Sequence, residues 1–137
     1  MRRQSLLRNE RGQAAAELAL VLPILAALVI AIAQFGIAFN NYLTLTDATR
    51  AGARQAAVSR FVGDNGASAI AAVKASAAGL DMSKLDSPGN PITVTTADWT
   101  TPGSLVTVTA SYPYSINILG WTVSAGNLTS TTKERLE

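Results

Sequence analysis

The sequence predicts an α+β protein: a long N-terminal transmembrane helix that continues into a small outer domain with a second helix and about three antiparallel strands. Two observations predict this fold class. One is an uncharged apolar run near the N-terminus, and the other is an alternation of apolar and polar residues in the C-terminal part. The 137 residues suffice for one such outer domain at most.

The apolar run extends from Leu18 to Phe39, and Gln34 is its only strongly polar side chain. A bilayer core of about 30 Å needs about 20 residues at a helical rise of about 1.5 Å, so this run is long enough to span. Thirteen of its 22 residues are Leu, Ile, Val or Phe. Their insertion free energies total about −4 to −8 kcal/mol, which outweighs one glutamine and one proline, Pro23.

The formal charge of +2 comes entirely from the N-terminal arm, because the chain from residue 40 onward carries seven basic and seven acidic residues. Basic residues that flank a span are retained in the cytoplasm, so the outer domain should lie across the membrane. No basic stripe is present that would predict nucleic-acid binding. The charged residues of the arm are Arg2, Arg3, Arg8, Glu10, Arg11 and Glu17.

The transmembrane helix is predicted to continue to about Phe61, because Asn40 to Phe61 contains no proline and a single glycine, Gly52. It would span residues 13–61, after a basic leader of residues 1–12 and before an outer domain of residues 62–137. Asp47, Arg50 and Arg54 form one polar stripe, in which Asp47 can reach Arg50. Leu45, Ala48, Gly52 and Ala56 form a small-residue surface that lets another backbone approach closely.

The outer domain is predicted to begin after the break Gly63-Asp64-Asn65-Gly66. Asp64 or Asn65 is the expected N-cap of a second helix that runs through Ala78 and ends at Gly79. Strands are expected at residues 92–96 and 105–112, joined by a turn at Pro102-Gly103, with a third between Trp121 and Leu136. Val106, Val108, Ala110 and Tyr112 should share the buried face, and the aromatic residues Trp99, Tyr112, Tyr114 and Trp121 are expected in the core.

The composition excludes several catalytic chemistries, because the chain contains no histidine and no cysteine. It therefore has no Ser-His-Asp triad, Cys-His pair, zinc finger or disulfide framework. Asp64, Asp81, Asp86 and Asp98 show no paired or calcium-loop spacing. We expect no enzymatic activity, no catalytic residue, no cofactor and no metal site.

A carboxylate at the edge of the apolar run is the most informative single feature. Glu17 is the fifth residue after Gly12, which itself follows the basic arm. Cleavage after Gly12 would free an α-amine at Gln13, about one helical turn from Glu17. An ammonium and a carboxylate at that spacing can neutralise each other in a medium of low dielectric constant, within one chain or between neighbouring chains.

Three motifs in order carry a family resemblance. They are the stretch from Glu10 to Pro23, the tripeptide Gln34-Phe35-Gly36, and the stretch from Asp47 to Arg54. Over residues 9–60 the chain resembles TadE-like minor pilins or pseudopilins of the tight-adherence (Tad, Flp or type IVc) pilus, which are related to type IV pilins. Leu18 departs from the pattern, since an aromatic residue usually follows the glutamate.

The resemblance implies a pilus-assembly protein of the bacterial inner membrane, with a cytoplasmic N-terminus and an extracytoplasmic C-terminal domain, that can enter an extracellular pilus and serve surface adhesion. It implies that a prepilin peptidase removes the leader between Gly12 and Gln13, and that Glu17 helps to dock subunits. Other pilins, the Tad inner-membrane assembly platform and the lipid bilayer are the implied partners. Ala48, Gly52 and Ala56 are the residues expected to pack helices.

Two other functions remain open from the sequence. A membrane-anchored adhesin or binding module outside any fibre would retain residues 1–12. A secreted domain would be released at the small-x-small site Ala31-Ile32-Ala33 and would start at Gln34. Against the second, the apolar run continues past that site to Phe39 and exceeds the usual 7–15 residues of a signal-peptide core.

Overall fold

The structure is a computed structural model that describes residues 6–59 and 63–137, with side chains from Gly12 onward. It contains two helices and a three-stranded antiparallel sheet, which confirms the predicted α+β class. The elements in chain order are α1 (Leu6–Val58), α2 (Ala67–Ser76), β1 (Thr93–Thr96), β2 (Leu105–Ile118) and β3 (Trp121–Arg135).

Helix α1 is 53 residues long and continues without interruption through Pro23. At a rise of about 1.5 Å per residue it extends roughly 80 Å. It begins inside the basic arm, earlier than the predicted start of the helix at residue 13. It ends at Val58, and the predicted end at Phe61 lies outside the described residues.

Helix α2 begins after a turn that Asp64 organises. The Asp64 carboxylate accepts hydrogen bonds from the backbone amides of Gly66 (3.0 Å) and Ser68 (2.8 Å), so it satisfies free amides near the helix start. The residue at the N-cap position is Gly66, with a left-handed backbone, so the expectation of Asp64 or Asn65 at that position is wrong. The helix ends at Ser76, two residues before the predicted end at Ala78.

The sheet has the order β1-β2-β3, and it is three strands wide where β1 pairs with β2. Strand β1 pairs with β2 from Thr93↔Thr109 to Thr96↔Val106, and beyond that point β2 and β3 continue as a two-stranded hairpin. The hairpin closes at Leu119 and Gly120, whose φ angles of 51° and 87° fit a type I′ turn.

Strand β2 is six residues longer than predicted, because it continues from Tyr112 through Pro113 to Ile118. Proline removes a backbone donor and is tolerated where a strand has a free edge. Pro113 pairs with Asn127 of β3 and lies past the end of β1, so its missing amide breaks no pairing on the other side.

The core lies between the C-terminal half of α1, helix α2 and one face of the sheet. The predicted alternation in β2 is confirmed, since Val106, Val108 and Ala110 are fully buried and Tyr112 nearly so. Near the end of β3 the chain closes on α1, where the amide of Glu137 donates to the carbonyl of Ala57 at 3.2 Å. The core residues are Leu45, Ala48, Ala53, Ala56, Ala69, Val73, Ala77, Leu80, Leu85, Ile92, Val106, Val108, Ala110, Tyr112 and Leu136.

The aromatic residues divide between core and surface. Tyr112 is buried, Trp99 packs against the core cluster, and Tyr114 is partly buried. Trp121 is 82% exposed, so the expectation that it belongs to the core is wrong. Its position at the end of the hairpin, beyond the reach of α2 and β1, explains the difference.

Candidate functional site

The N-terminal half of α1 is largely exposed. We call residues 18–39 the apolar segment; Leu20 is 73% exposed, and Ile24 and Phe35 are each 64% exposed. Its most apolar window has a mean hydropathy of 2.6, and none of that window is buried. Within residues 6–59 and 63–137, α1 is the one helix long and apolar enough to cross a membrane, which indicates membrane anchoring.

The predicted processing site lies on the turn that precedes Glu17. The Gln13 side-chain amide donates to Glu17 Oε1 at 3.2 Å, so these two side chains meet across one helical turn, as their spacing predicts. The helix passes through Gly12 unbroken, and no atom lies within 4 Å of where a Gly12 Cβ would be. Arg2 and Arg3 lie outside the described residues, as do the side chains of Arg8 and Arg11.

The small-residue surface is occupied within the chain. Ala48, Gly52 and Ala56 are buried in the core. A Cβ added to Gly52 would overlap the Val73 side chain and lie 3.1 Å from the carbonyl oxygen of Ala69. The backbone that approaches closely is therefore that of α2. Ala48 lies roughly 45 Å along α1 from Glu17, so the structure does not bring these two predicted sites together.

The polar stripe of α1 faces solvent on the opposite side. Arg50 Nη1 lies 3.3 Å from Asp47 Oδ1, which confirms the predicted pair, and both side chains are more than half exposed. Arg54 is also exposed. Exposed pairs of this kind contribute about 0.3–0.5 kcal/mol to a helix, so the stripe keeps one face of the upper helix hydrated and adds little stability.

The four aspartates considered as possible metal or acid residues each accept hydrogen bonds from their local surroundings, and these bonds lower their pKa values. Hydrogen bonds from the hydroxyls of Thr101 (2.6 Å) and Thr100 (2.7 Å) lower the pKa of Asp98 to about 2. The described parts of the chain hold no group of three carboxylates placed to bind a metal ion. The pKa is also lowered for Asp64 by hydrogen bonds from Ser68, for Asp81 by those from Ser83, and for Asp86 by that from Lys74.

Sequence reasoning missed a contact between the apolar segment and the hairpin. The Gln34 side chain accepts a hydrogen bond from the Asn117 amide at 2.8 Å and donates one to the Asn117 carbonyl. The one strongly polar side chain in the apolar segment was the available signal, although the sequence does not name its partner. The contact falls where the register of β2 shifts, between Ile116 and Asn117.

The hairpin also runs beside α1 on the C-terminal side of Gln34. A groove of about 560 Å³ separates the two, with Phe35, Phe39 and Tyr42 on the helix side and Tyr114 and Leu128 on the hairpin side. The rings of Phe35 and Phe39 stack with centroids 6.4 Å apart. The part of the β2–β3 hairpin beyond β1 therefore extends alongside α1 and does not project away from it.

Comparison with known proteins finds a family match within helix α1. The model of the family described as TadE-like protein matches residues 12–54. Over this segment, 43 of the 137 residues, the chain is similar to this family. The match begins at Gly12 and includes Glu17, the whole apolar segment and the buried Ala48 and Gly52; α2 and the sheet lie outside it.

The match confirms the resemblance drawn from the sequence motifs and indicates involvement in the Tad pilus. No curated protein and no solved structure matches the chain. The similarity to this family therefore rests on helix α1, and the outer domain is described by its own geometry.

Proposed function

We propose that the chain is a minor pilin or pseudopilin that takes part in assembly of a Tad-type pilus for surface adhesion, by packing its apolar segment against helices of neighbouring subunits. The observation that carries the proposal is that the TadE-like match covers the segment whose large apolar side chains are mostly exposed in the described chain.

Exposed apolar side chains along α1 fit both stages of such a role. Lipid covers them while the chain waits in the membrane, and other helices cover them after assembly. Between helices in lipid the attraction comes from van der Waals packing and polar contacts. Since Ala48, Gly52 and Ala56 are already buried against α2 and the sheet, the proposed subunit contacts use residues 13–39 instead.

Glu17 gives this packing a register. A carboxylate at the edge of hydrocarbon is costly unless it is paired. In the proposal, removal of residues 1–12 leaves an α-ammonium at Gln13 that neutralises Glu17 of the same or a neighbouring subunit. The Gln13 side chain already reaches Glu17 at 3.2 Å, which supports the required proximity.

The proposed topology places the basic arm in the cytoplasm and the outer domain outside the bacterial inner membrane. The arginines of the arm support it through the positive-inside rule. The proposed partners are other pilins or pseudopilins, the Tad assembly platform and a prepilin peptidase. Nucleic acid and cofactors have no part in the proposal.

Processing is tested with two matched glycine variants, Gly12→Leu and Gly36→Leu. Both glycines lie in α1, and among the described residues nothing lies within 4 Å of a Cβ added at either, so both positions are open to a side chain. We expect the native chain and Gly36→Leu to start at Gln13, and Gly12→Leu to keep its leader. The readout is N-terminal sequence and intact mass from membrane and sheared-fibre fractions.

Assembly is tested with Glu17→Ala against Glu134→Ala, which removes an exposed carboxylate from β3. Glu17→Ala should insert into the membrane normally and reduce pilus number, whereas Glu134→Ala should leave pilus number unchanged. Equal pilus numbers in both variants would contradict the docking role. A native chain that keeps residues 1–12 and fractionates with membrane alone would favour the anchored adhesin, and a start at Gln34 would favour the secreted domain.

A further inference from the structure

Large apolar side chains are exposed at the end of the β2–β3 hairpin. We call residues 117–123 the hairpin tip. Leu119 and Val123 are each 65% exposed, and Trp121 is 82% exposed. The sequence has no charged residue from Trp99 to Thr132. Exposed strand ends are normally protected by charge or by covering elements, so an uncharged apolar tip of this kind marks a contact surface.

The position of the hairpin tip along α1 indicates what it contacts. The two hydrogen bonds between Gln34 and Asn117 fix the tip beside the apolar segment. A bilayer core needs about 20 helical residues. If the span begins at Ala14 it ends near Ala33, and if it begins at Leu18 it ends near Ile37. Gln34 lies within one helical turn of both ends, so Asn117, where the tip begins, is close to the outward-facing boundary of the bilayer core.

We propose that the hairpin tip lies in the interfacial layer of the phospholipid bilayer, with Leu119, Trp121 and Val123 in contact with lipid. Tryptophan is enriched at this depth because its ring is apolar and its N–H needs a polar partner. The unpaired strand edges near the tip keep it out of the hydrocarbon, where free backbone groups have no partners.

Gln34 has a defined part in this arrangement. Its amide would be unsatisfied in an otherwise apolar span, and the Asn117 backbone provides both a donor and an acceptor for it. The chain then touches the membrane at two points, α1 and the hairpin tip. The inference concerns the membrane-bound chain before any assembly and stands apart from the pilin proposal.

The test measures the depth of Trp121 in the full chain, reconstituted in phosphatidylcholine vesicles. The protein has two tryptophans, so Trp99→Phe isolates Trp121. Lipids carrying a nitroxide in the headgroup region or on the upper acyl chain quench nearby indoles. We expect several-fold stronger quenching of Trp121 than of a control indole introduced by Met82→Trp in the Trp99→Phe/Trp121→Phe background, because Met82 is exposed in the loop after α2.

A second variant tests the hydrogen bonds that position the tip. Gln34→Ala in the Trp99→Phe background should reduce the quenching of Trp121, and unchanged quenching would overturn the role given to Gln34. Quenching of Trp121 no stronger than that of the indole at position 82, with emission typical of water, would overturn the membrane contact. So would blue-shifted emission without lipid quenching, since another protein copy would then be covering Trp121.

Discussion

At Gly52, helices α1 and α2 approach each other closely. The Ala69 carbonyl lies 3.1 Å from the position of a Gly52 Cβ, and the Val73 side chain is closer still. Val73 is itself fully buried, and a backbone oxygen in the middle of α2 can move only with its helix. The absence of a side chain at residue 52 therefore sets the distance between the two helices.

We expect Gly52→Ala to lower the free energy of unfolding by about 1–2 kcal/mol. Overpacking a core costs about 1–3 kcal/mol, and the better helix propensity of alanine returns up to about 1 kcal/mol. Gly36→Ala is the matched control, since its Cβ would meet open space, and it should be neutral or stabilising. Denaturant unfolding of the full chain in detergent micelles measures both; equal effects would contradict the close approach.

A buried cluster of hydroxyl groups joins α1 to β3. Thr49 Oγ1 lies 2.8 Å from Ser130 Oγ, and Thr132 Oγ1 donates to Thr49 Oγ1 at 3.3 Å. Thr49 is fully buried and Ser130 is 6% exposed. Polar atoms at this depth need partners, so the cluster fixes how far β3 can slide along the helix.

We expect Thr49→Val to destabilise the outer domain by about 1–3 kcal/mol, because it leaves the Ser130 hydroxyl buried without that partner. Adding Ser130→Ala should recover part of the loss, and a double-mutant cycle on unfolding free energies measures the coupling. Thr46→Val, which removes an exposed hydroxyl of the same helix, should have little effect. Strict additivity of Thr49→Val and Ser130→Ala would show that the two hydroxyls do not interact.

The whole outer domain carries a predictable acid sensitivity. The pKa values of its four engaged aspartates are lowered in the folded state from the ordinary value of 3.8, that of Asp98 to about 2. A lowered folded-state pKa contributes stability above the unfolded-state pKa, and this contribution is lost as pH falls through the folded-state value. These groups therefore stabilise the domain at neutral pH and lose this contribution as pH falls below about 4; for Asp98 the loss extends to about pH 2.

We expect Asp98→Asn to reduce stability at neutral pH and to flatten the pH dependence between about pH 4 and pH 2, where the native carboxylate is progressively protonated. Thr101→Val should act in the same direction, because it removes the shortest hydrogen bond to Asp98. Unfolding midpoints measured across this pH range provide the test. Glu134→Gln serves as the control; a native acid profile in Asp98→Asn would contradict the assigned cause.

Features set by local periodicity were predictable from the sequence. The apolar segment follows from its length and lack of charge, and the buried face of β2 follows from the alternation of Val106, Val108 and Ala110. The hydrogen bond between Gln13 and Glu17 was predictable in position, because residues four apart face each other on a helix. In each case the responsible residues are near neighbours in the chain.

Features that depend on distant residues were not predictable. The spacing of Ala48 and Gly52 indicated a close backbone but could not identify it as α2. The continuation of β2 beyond Tyr112 was not predictable, because the next residue is Pro113 and a proline normally argues against a strand. The contact of Gln34 with Asn117 joins residues 83 positions apart, and nothing local to either residue encodes it.

The cluster at Thr49 has a consequence for how the protein is made. Thr49 and Ser130 are separated by 81 positions, so the ribosome completes the upper helix well before it reaches β3. At about 5–20 residues per second, the delay is about 4–16 s. Throughout that interval the α1 residues that later pack against the sheet have no partner. Contacts between residues so far apart in the chain are slow to form. The nascent chain thus passes through a stage in which its anchor is finished while the domain above it has yet to close.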